Sequence, residues 1–153
     1  SGVYTITLTV TDDDGGAATS TATEYVVIFD PANGHVTGGG WISSPVGAYV
    51  PDPTLTGKAN FGFVSKYQKG ATVPTGETEF QFKVANLNFH STNYEWLVVS
   101  GARAQYKGSG VINGAGNYGF LLTATDGALP GGGVVDKFRI KIVEKATGSR
   151  TSW

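Results

Sequence analysis

The sequence predicts an all-β protein: an antiparallel β-sandwich, jelly-roll-like or immunoglobulin-like, preceded by a separate β-hairpin. Three observations predict it. Apolar residues recur at every second position in one stretch after another. Twenty-three glycines and six prolines punctuate those stretches at turn positions. No stretch keeps apolar groups at the 3, 4 and 7 spacing of a helix without a Gly or Pro break.

The first element is a hairpin. Tyr4, Ile6, Leu8 and Val10 alternate with Thr5, Thr7, Thr9 and Thr11, the pattern of a half-buried strand. Asp12 to Gly16 is the turn, and Ala18 to Phe29 is the return strand. Asp30-Pro31-Ala32-Asn33-Gly34 reads as a linker, because Pro removes a ladder donor and Asn-Gly turns the chain. Three units follow: a hairpin over 1–29, a linker over 30–34 and a β-sandwich module over 35–153.

In the second unit, residues 35–42 read as a short strand interrupted by Gly38-Gly39-Gly40, which predicts a bulge or a close backbone approach. Ser43 to Gly57 holds Pro45, Pro51 and Pro53 and reads as a loop. Lys58 to Gln68 is a strand. Thr78 to Val84 is another, with Phe80, Phe82 and Val84 expected inside. Leu87–His90 and Tyr94–Ser100 read as two further strands. The hairpin expected to organise the sheet spans Gly101 to Gly127. Ala102, Ala104 and Tyr106 form one face of its first strand; Tyr118, Phe120, Leu122 and Ala124 form one face of its second. Asn113-Gly114 between them tolerates φ > 0 and suits a tight reversal. Asp136 to Glu144 is the last strand, with Phe138, Ile140 and Ile142 inside, and Ala146-Thr147-Gly148 turns again.

Composition excludes several function classes. A net charge of −1 with 15% charged residues argues against a nucleic-acid binder, which needs a basic stripe. A hydrophobic content of 40% argues against disorder. No apolar run is long enough to insert in a membrane. The absence of cysteine excludes disulfides and cysteine-ligated zinc. The chain begins at Ser1 and contains no methionine, and it is expected to be part of a longer product.

Residues 2–12, GVYTITLTVTD, followed by Asp14-Gly15-Gly16 and a Thr/Ala-rich strand, resemble the C-terminal end of a PKD domain. That family is an immunoglobulin-like sandwich of large secreted or surface proteins of bacteria and archaea. The resemblance covers about the first fifth of the chain and lacks the family's W-x-F-G-D-G front half. GGGWI, LTGKANFGFVSKY, TEFQF, LNFHSTNYEWLVV, YKGSG and DKFRIKI resemble a module that follows PKD repeats in bacterial secreted proteins. The resemblance implies a secreted or cell-surface location.

Residue chemistry marks few sites. Asp12-Asp13-Asp14 reads as an acidic turn rather than a calcium loop, since the twelve-residue ligand pattern is absent. His35 and His90 are the only histidines and lack cysteine co-ligands, so no metal and no cofactor is expected. His90, Ser91 or Ser100, and Asp126 or Asp136 form a triad only on paper, without a G-x-S-x-G elbow. Glu79 and Glu95 are carboxylates of the kind a glycosidase pairs, but nothing in the sequence marks a cleft, and Glu79 reads as an outward residue of an alternating strand. No catalytic residue is assigned. Trp41, Tyr67, Tyr94, Trp96 and Tyr106 are the candidate ligand-binding residues, because exposed aromatic rings stack on sugars. The competing reading is core: Trp96 shares a predicted face with Tyr94 and Val98, and Tyr106 lies on the small-residue face.

The expected function is a non-catalytic accessory module of a large secreted or cell-surface bacterial protein, serving adhesion, spacing or ligand binding. The alternative is a carbohydrate-binding module attached to a secreted hydrolase. Expected partners are a polysaccharide or another surface protein and other domains of the same chain, with no nucleic acid and no membrane insertion.

Overall fold

The structure, a computed structural model, describes residues 2–11, 13–28 and 34–145, without the side chains of residues 22–25. It is built of antiparallel strands and contains no α-helix among the described residues. Residues 30–33 of the expected 30–34 linker, Asp12 of the expected acidic turn, the side chain of Tyr25, Phe29 and the closing turn at 146–148 lie outside the described residues.

Two sheets form. Strands β1 (Gly2–Thr11) and β2 (Ala17–Ile28) form a two-stranded sheet. The second sheet has seven strands in sequence order: β3 (His35–Ser44), β4 (Gly57–Lys66), β5 (Thr75–Phe82), β6 (Leu87–Ser100), β7 (Arg103–Ile112), β8 (Ala115–Thr125) and β9 (Lys137–Glu144). Every strand pairs antiparallel with its neighbour in sequence. The connectivity is therefore an uninterrupted meander, simpler than the jelly-roll or immunoglobulin order.

The layers come from curling this one sheet until its two halves face each other. β6 is the bend. It pairs with β5 only over residues 87–90 but with β7 over residues 89–100. Its register against β7 shifts twice, between Ser91 and Asn93 and between Tyr94 and Trp96. Each shift adds a residue to one strand, which bends it and increases its twist. The curl brings the last strand onto the second: the Phe138 ring of β9 lies 3.7 Å from the Phe61 ring of β4, nearly parallel. Phe63 and Phe80 flank the same ring at 6.0 and 6.3 Å.

The enclosed faces are those the alternation picks out. Tyr106, Phe120 and Leu122 of β7 and β8 are 0%, 2% and 0% exposed, and Phe63, Phe89 and Leu97 complete the cluster. The turn between β7 and β8 is Asn113-Gly114, both with positive φ (52° and 77°), as a tight reversal requires. Phe138, Ile140 and Ile142 of β9 pack against the same core.

Three details differ from the sequence reading. Leu87–Ser100 is one strand rather than two, because its bulges interrupt the register without ending the ladder. Val84 is 53% exposed rather than inside. The chain leaves the strand at Phe82 for a short 3-10 turn, Lys83–Ala85, closed by Asn86 at φ 50°. The three glycines of β3 do not form a bulge, since β3 and β4 pair without a break. They allow a close approach. Gly38 and Gly40 face Phe63 and Phe61 across the ladder. A Cβ on Gly38 would stand 2.7 Å from the Phe63 ring. Aromatic rings therefore cover the gaps that edge glycines leave.

Candidate functional site

The curled sheet does not close. Among the described residues β3 has a strand partner on one side only, and between it and the far half of the sheet lies a cleft of about 630 Å³. Its size falls in the range of small-ligand sites. Residues 35–42 of β3 form one wall. The opposite wall is the β6–β7 connection, Gly101 to Ala104, with Thr125, Asp126 and Lys137; Phe61, Phe63 and Phe138 supply the aromatic floor. The glycines of β3 keep the floor accessible, since a residue with a long side chain at Gly40 would lie on the Phe61 ring.

The two carboxylates around the cleft have structural work. Asp136 accepts the Gly127 amide at 2.8 Å, and Asp126 accepts the Ala128 amide at 2.8 Å. Both carboxylates thereby fix the loop between β8 and β9, as Asp does in turns. Arg103 and Lys137 also line the cleft and leave it of mixed charge.

The five aromatic candidates do not form one platform. Trp41 lies on the outer face of β3 beside the cleft, opposite Asn60, and is 62% exposed. The Lys58 ammonium sits 5.1 Å from its ring centroid, within cation–π range. Tyr67 is structural. Its hydroxyl donates to the Leu97 carbonyl at 3.1 Å and accepts from the Leu97 amide at 3.0 Å, where β6 has already separated from β5. Burial pushes its phenol above the ordinary value, against the opposing effect of the bond to Leu97.

Tyr106 and Tyr94 are inside and are corrected from the candidate set. Tyr106 is fully buried. Thr78 Oγ1 lies 2.8 Å from the Tyr94 hydroxyl and 2.8 Å from the Tyr106 hydroxyl. Ser91 Oγ accepts the Thr78 amide at 2.9 Å and lies 3.1 Å from the Tyr94 hydroxyl. This network satisfies polar groups that would otherwise be stranded in the core. Burial pushes the Tyr106 phenol far above its ordinary range and raises Tyr94 as well.

Trp96 is corrected in the other direction. The irregularity between Tyr94 and Trp96 reverses the strand's parity, so Trp96 faces Lys107 on the outer side while Leu97 turns inward against Tyr106. Trp96 is half-buried there, remote from Trp41 in the strand order.

Strand parity also separates the paper triad. Ser91 is buried and engaged with Thr78 and Tyr94, whereas His90 is on the outer face beside Glu79. Glu95 is held by Lys107 at 2.9 Å and Lys145 at 3.4 Å, and neither Glu79 nor Glu95 lines the cleft. The sequence signal for the cleft was the glycine run of β3. That run was legible as a close approach but not as a wall.

No protein-family model, no curated protein and no solved structure matches the chain.

Proposed function

We propose that the chain is a non-catalytic binding module of a larger secreted or cell-surface protein, and that its ligand lies in the cleft beside β3. The observation that carries this reading is the open seam: an aromatic floor beside an edge strand whose outer ladder groups have no strand partner among the described residues. An edge of this kind offers main-chain hydrogen bonds, and the floor offers apolar contact, the combination that holds an extended polymer. The resemblance of residues 2–28 to the end of a PKD domain supports the setting in a multidomain surface or secreted protein. Reading the module as an accessory one agrees with the engagement of Asp126 and Asp136 in loop structure.

Exposed Trp41 at the cleft's border favours a second reading, a carbohydrate-binding module of a secreted hydrolase. One face of its indole is shared with Lys58, and a sugar would stack on the other. The test combines a glycan array and an extended-peptide library with tryptophan fluorescence. Gly40→Leu, which fills the cleft from a backbone that accepts a side chain, is expected to abolish binding of either class and leave the fold intact. Trp41→Ala is expected to abolish glycan binding alone. Full binding by the Gly40→Leu protein would remove the cleft from consideration.

A further inference from the structure

We propose that Glu77, Glu79 and His90 form a divalent-cation site on the outer face of β5 and β6, suited to zinc, nickel or copper. The site is independent of the cleft. Glu77 and Glu79 are two residues apart on β5 and therefore share a face. His90 is the direct partner of Glu79 across the β5–β6 ladder. One ligand atom from each of the three lies within 4.8 Å of the others, and His90 Nδ1 stands 3.4 Å from a Glu79 carboxylate oxygen. Ligands at about 2.1 Å from a tetrahedral zinc are separated by about 3.4 Å from one another. The group is thus within a small side-chain adjustment of coordination, and both Glu79 and His90 are about half exposed and able to move.

Electrostatics supplies the reason. Two carboxylates on one face of a strand repel each other. Their partners on β4 are Val64 for Glu77 and Gly62 for Glu79, neither of which supplies a cation. Among the described residues no lysine or arginine forms an ion pair with either. Glu95 shows what this sheet does elsewhere with a carboxylate: Lys107 and Lys145 flank it. Burial acts to raise the Glu95 carboxyl, but the two lysines outweigh it and hold the group below its ordinary value. At Glu77 and Glu79 the neighbouring polar group is an imidazole, which is a metal ligand. One imidazole with two carboxylates suits zinc and its neighbours in the first transition row better than calcium or magnesium, which favour all-oxygen sets. Gly62 leaves the flank of the site open, since a Cβ built there meets nothing within 4 Å. Water can then complete the coordination sphere. The sequence concealed the set because His90 lies eleven and thirteen positions from the two glutamates and only the pairing of β5 with β6 brings it to them.

The test is calorimetric titration of the full chain, free of any affinity tag, with zinc, nickel and calcium. Zinc is expected to bind one to one and to raise the melting temperature, with chelator reversing the rise. His90→Gln and Glu79→Gln are each expected to weaken zinc binding at least tenfold and remove the thermal shift, while Glu95→Gln retains both. The substituted groups are exposed, and circular dichroism of each variant establishes that it has folded; Glu77→Gln serves if one has not. The His90 ring resonances are expected to shift on zinc addition. Absence of one-to-one uptake at millimolar zinc overturns the proposal. So does uptake that survives His90→Gln, or that Glu95→Gln weakens equally.

Discussion

The β1–β2 hairpin and the β7–β8 hairpin are written in nearly the same way and end in opposite environments. Each has strands of ten to twelve residues, alternating side chains and a glycine-containing turn. In β7–β8 the alternating stripe is buried to 0–2% at Tyr106, Phe120 and Leu122. In β1 the corresponding stripe stays open, with Ile6 52%, Leu8 63% and Val10 58% exposed. The threonine face of the first hairpin is as regular as its apolar face: Thr7 and Thr21, and Thr9 and Thr19, bond side chain to side chain across the ladder. The difference lies outside both hairpins. β7–β8 has β6 and β9 on its flanks and the other half of a curled sheet above it. β1–β2 has no further strand on either edge among the described residues. Alternation specifies a strand and its two faces; it does not specify what covers them.

The largest expected effect sharpens that contrast. Phe120→Ala removes a ring packed edge-on against Phe89, Tyr94 and Tyr106. It should cost about 3–5 kcal/mol, read from the urea midpoint at unchanged slope. A loss under about 1 kcal/mol would mean that the curled sheet is not the stabilising unit.

Next in size is the hydroxyl network. Thr78→Val keeps the shape but removes the group shared by Tyr94 and Tyr106. Leaving the buried Tyr106 hydroxyl unpaired should cost about 1–3 kcal/mol, and the double variant with Tyr106→Phe should recover part of it. The same burial makes an alkaline prediction. The Tyr106 phenol is raised in the folded state above its ordinary 10.0. Its contribution is therefore fully present below about pH 10 and is lost as pH rises beyond that, because the unfolded chain releases the proton first. Unfolding free energy followed from pH 9 upward, with tyrosinate absorbance as a second readout, checks the sign. No comparable loss is expected from the hairpin, where the described stripe is already in water.

A smaller effect, of opposite sign, is expected at Ser65. This residue is wholly buried on β4, and its hydroxyl has no hydrogen-bond partner among the described residues. Ser65→Ala removes an unsatisfied polar group from the core and should raise stability by about 1 kcal/mol, measured by the same urea titration. A loss of that size would show that the hydroxyl is bonded in solution.

Much of the fold was legible because local rules and the final environment agree. The Asn113-Gly114 reversal, the inward faces of β7, β8 and β9, and the all-β class follow from spacing and turn chemistry. What was not legible required knowledge of how the sheet bends. The irregularities in β6 turned Trp96 outward, although strict alternation placed it with Tyr94. Val84 left the core because the strand ended two residues early, at Phe82. The aromatic candidates failed as a platform for the same reason: Tyr94 and Tyr106 meet inside at 5.7 Å, while Trp41 and Trp96 face outward on strands that do not pair. The cleft itself is a property of a sheet that curls without closing, and no single strand encodes that.

The smallest expected effect is on the hairpin's own stripe. Among its described residues the open end alone is partly covered, with Gly2, Val3 and Val27 half-buried, and β1 and β2 approach the rest of the molecule along β6. Beyond that end, Ile6, Leu8 and Val10 gain little from the intramolecular fold. Leu8→Ser should therefore change the stability of the dilute protein by no more than about 0.5 kcal/mol, as exposed substitutions do. A two-stranded ribbon is marginal in water, and an uncovered apolar stripe with two open edges favours further pairing. Concentration separates the two sources of order. If β6 alone holds the ribbon, the urea midpoint and the mass in solution are independent of protein concentration, and Leu8→Ser alters neither. If a second copy covers the stripe, the midpoint rises with concentration and the mass doubles, and Leu8→Ser removes both effects. A cost above about 2 kcal/mol in the dilute monomer would place Leu8 in an intramolecular core. The contrast between the two hairpins would then lie in how each is covered, not in whether it is.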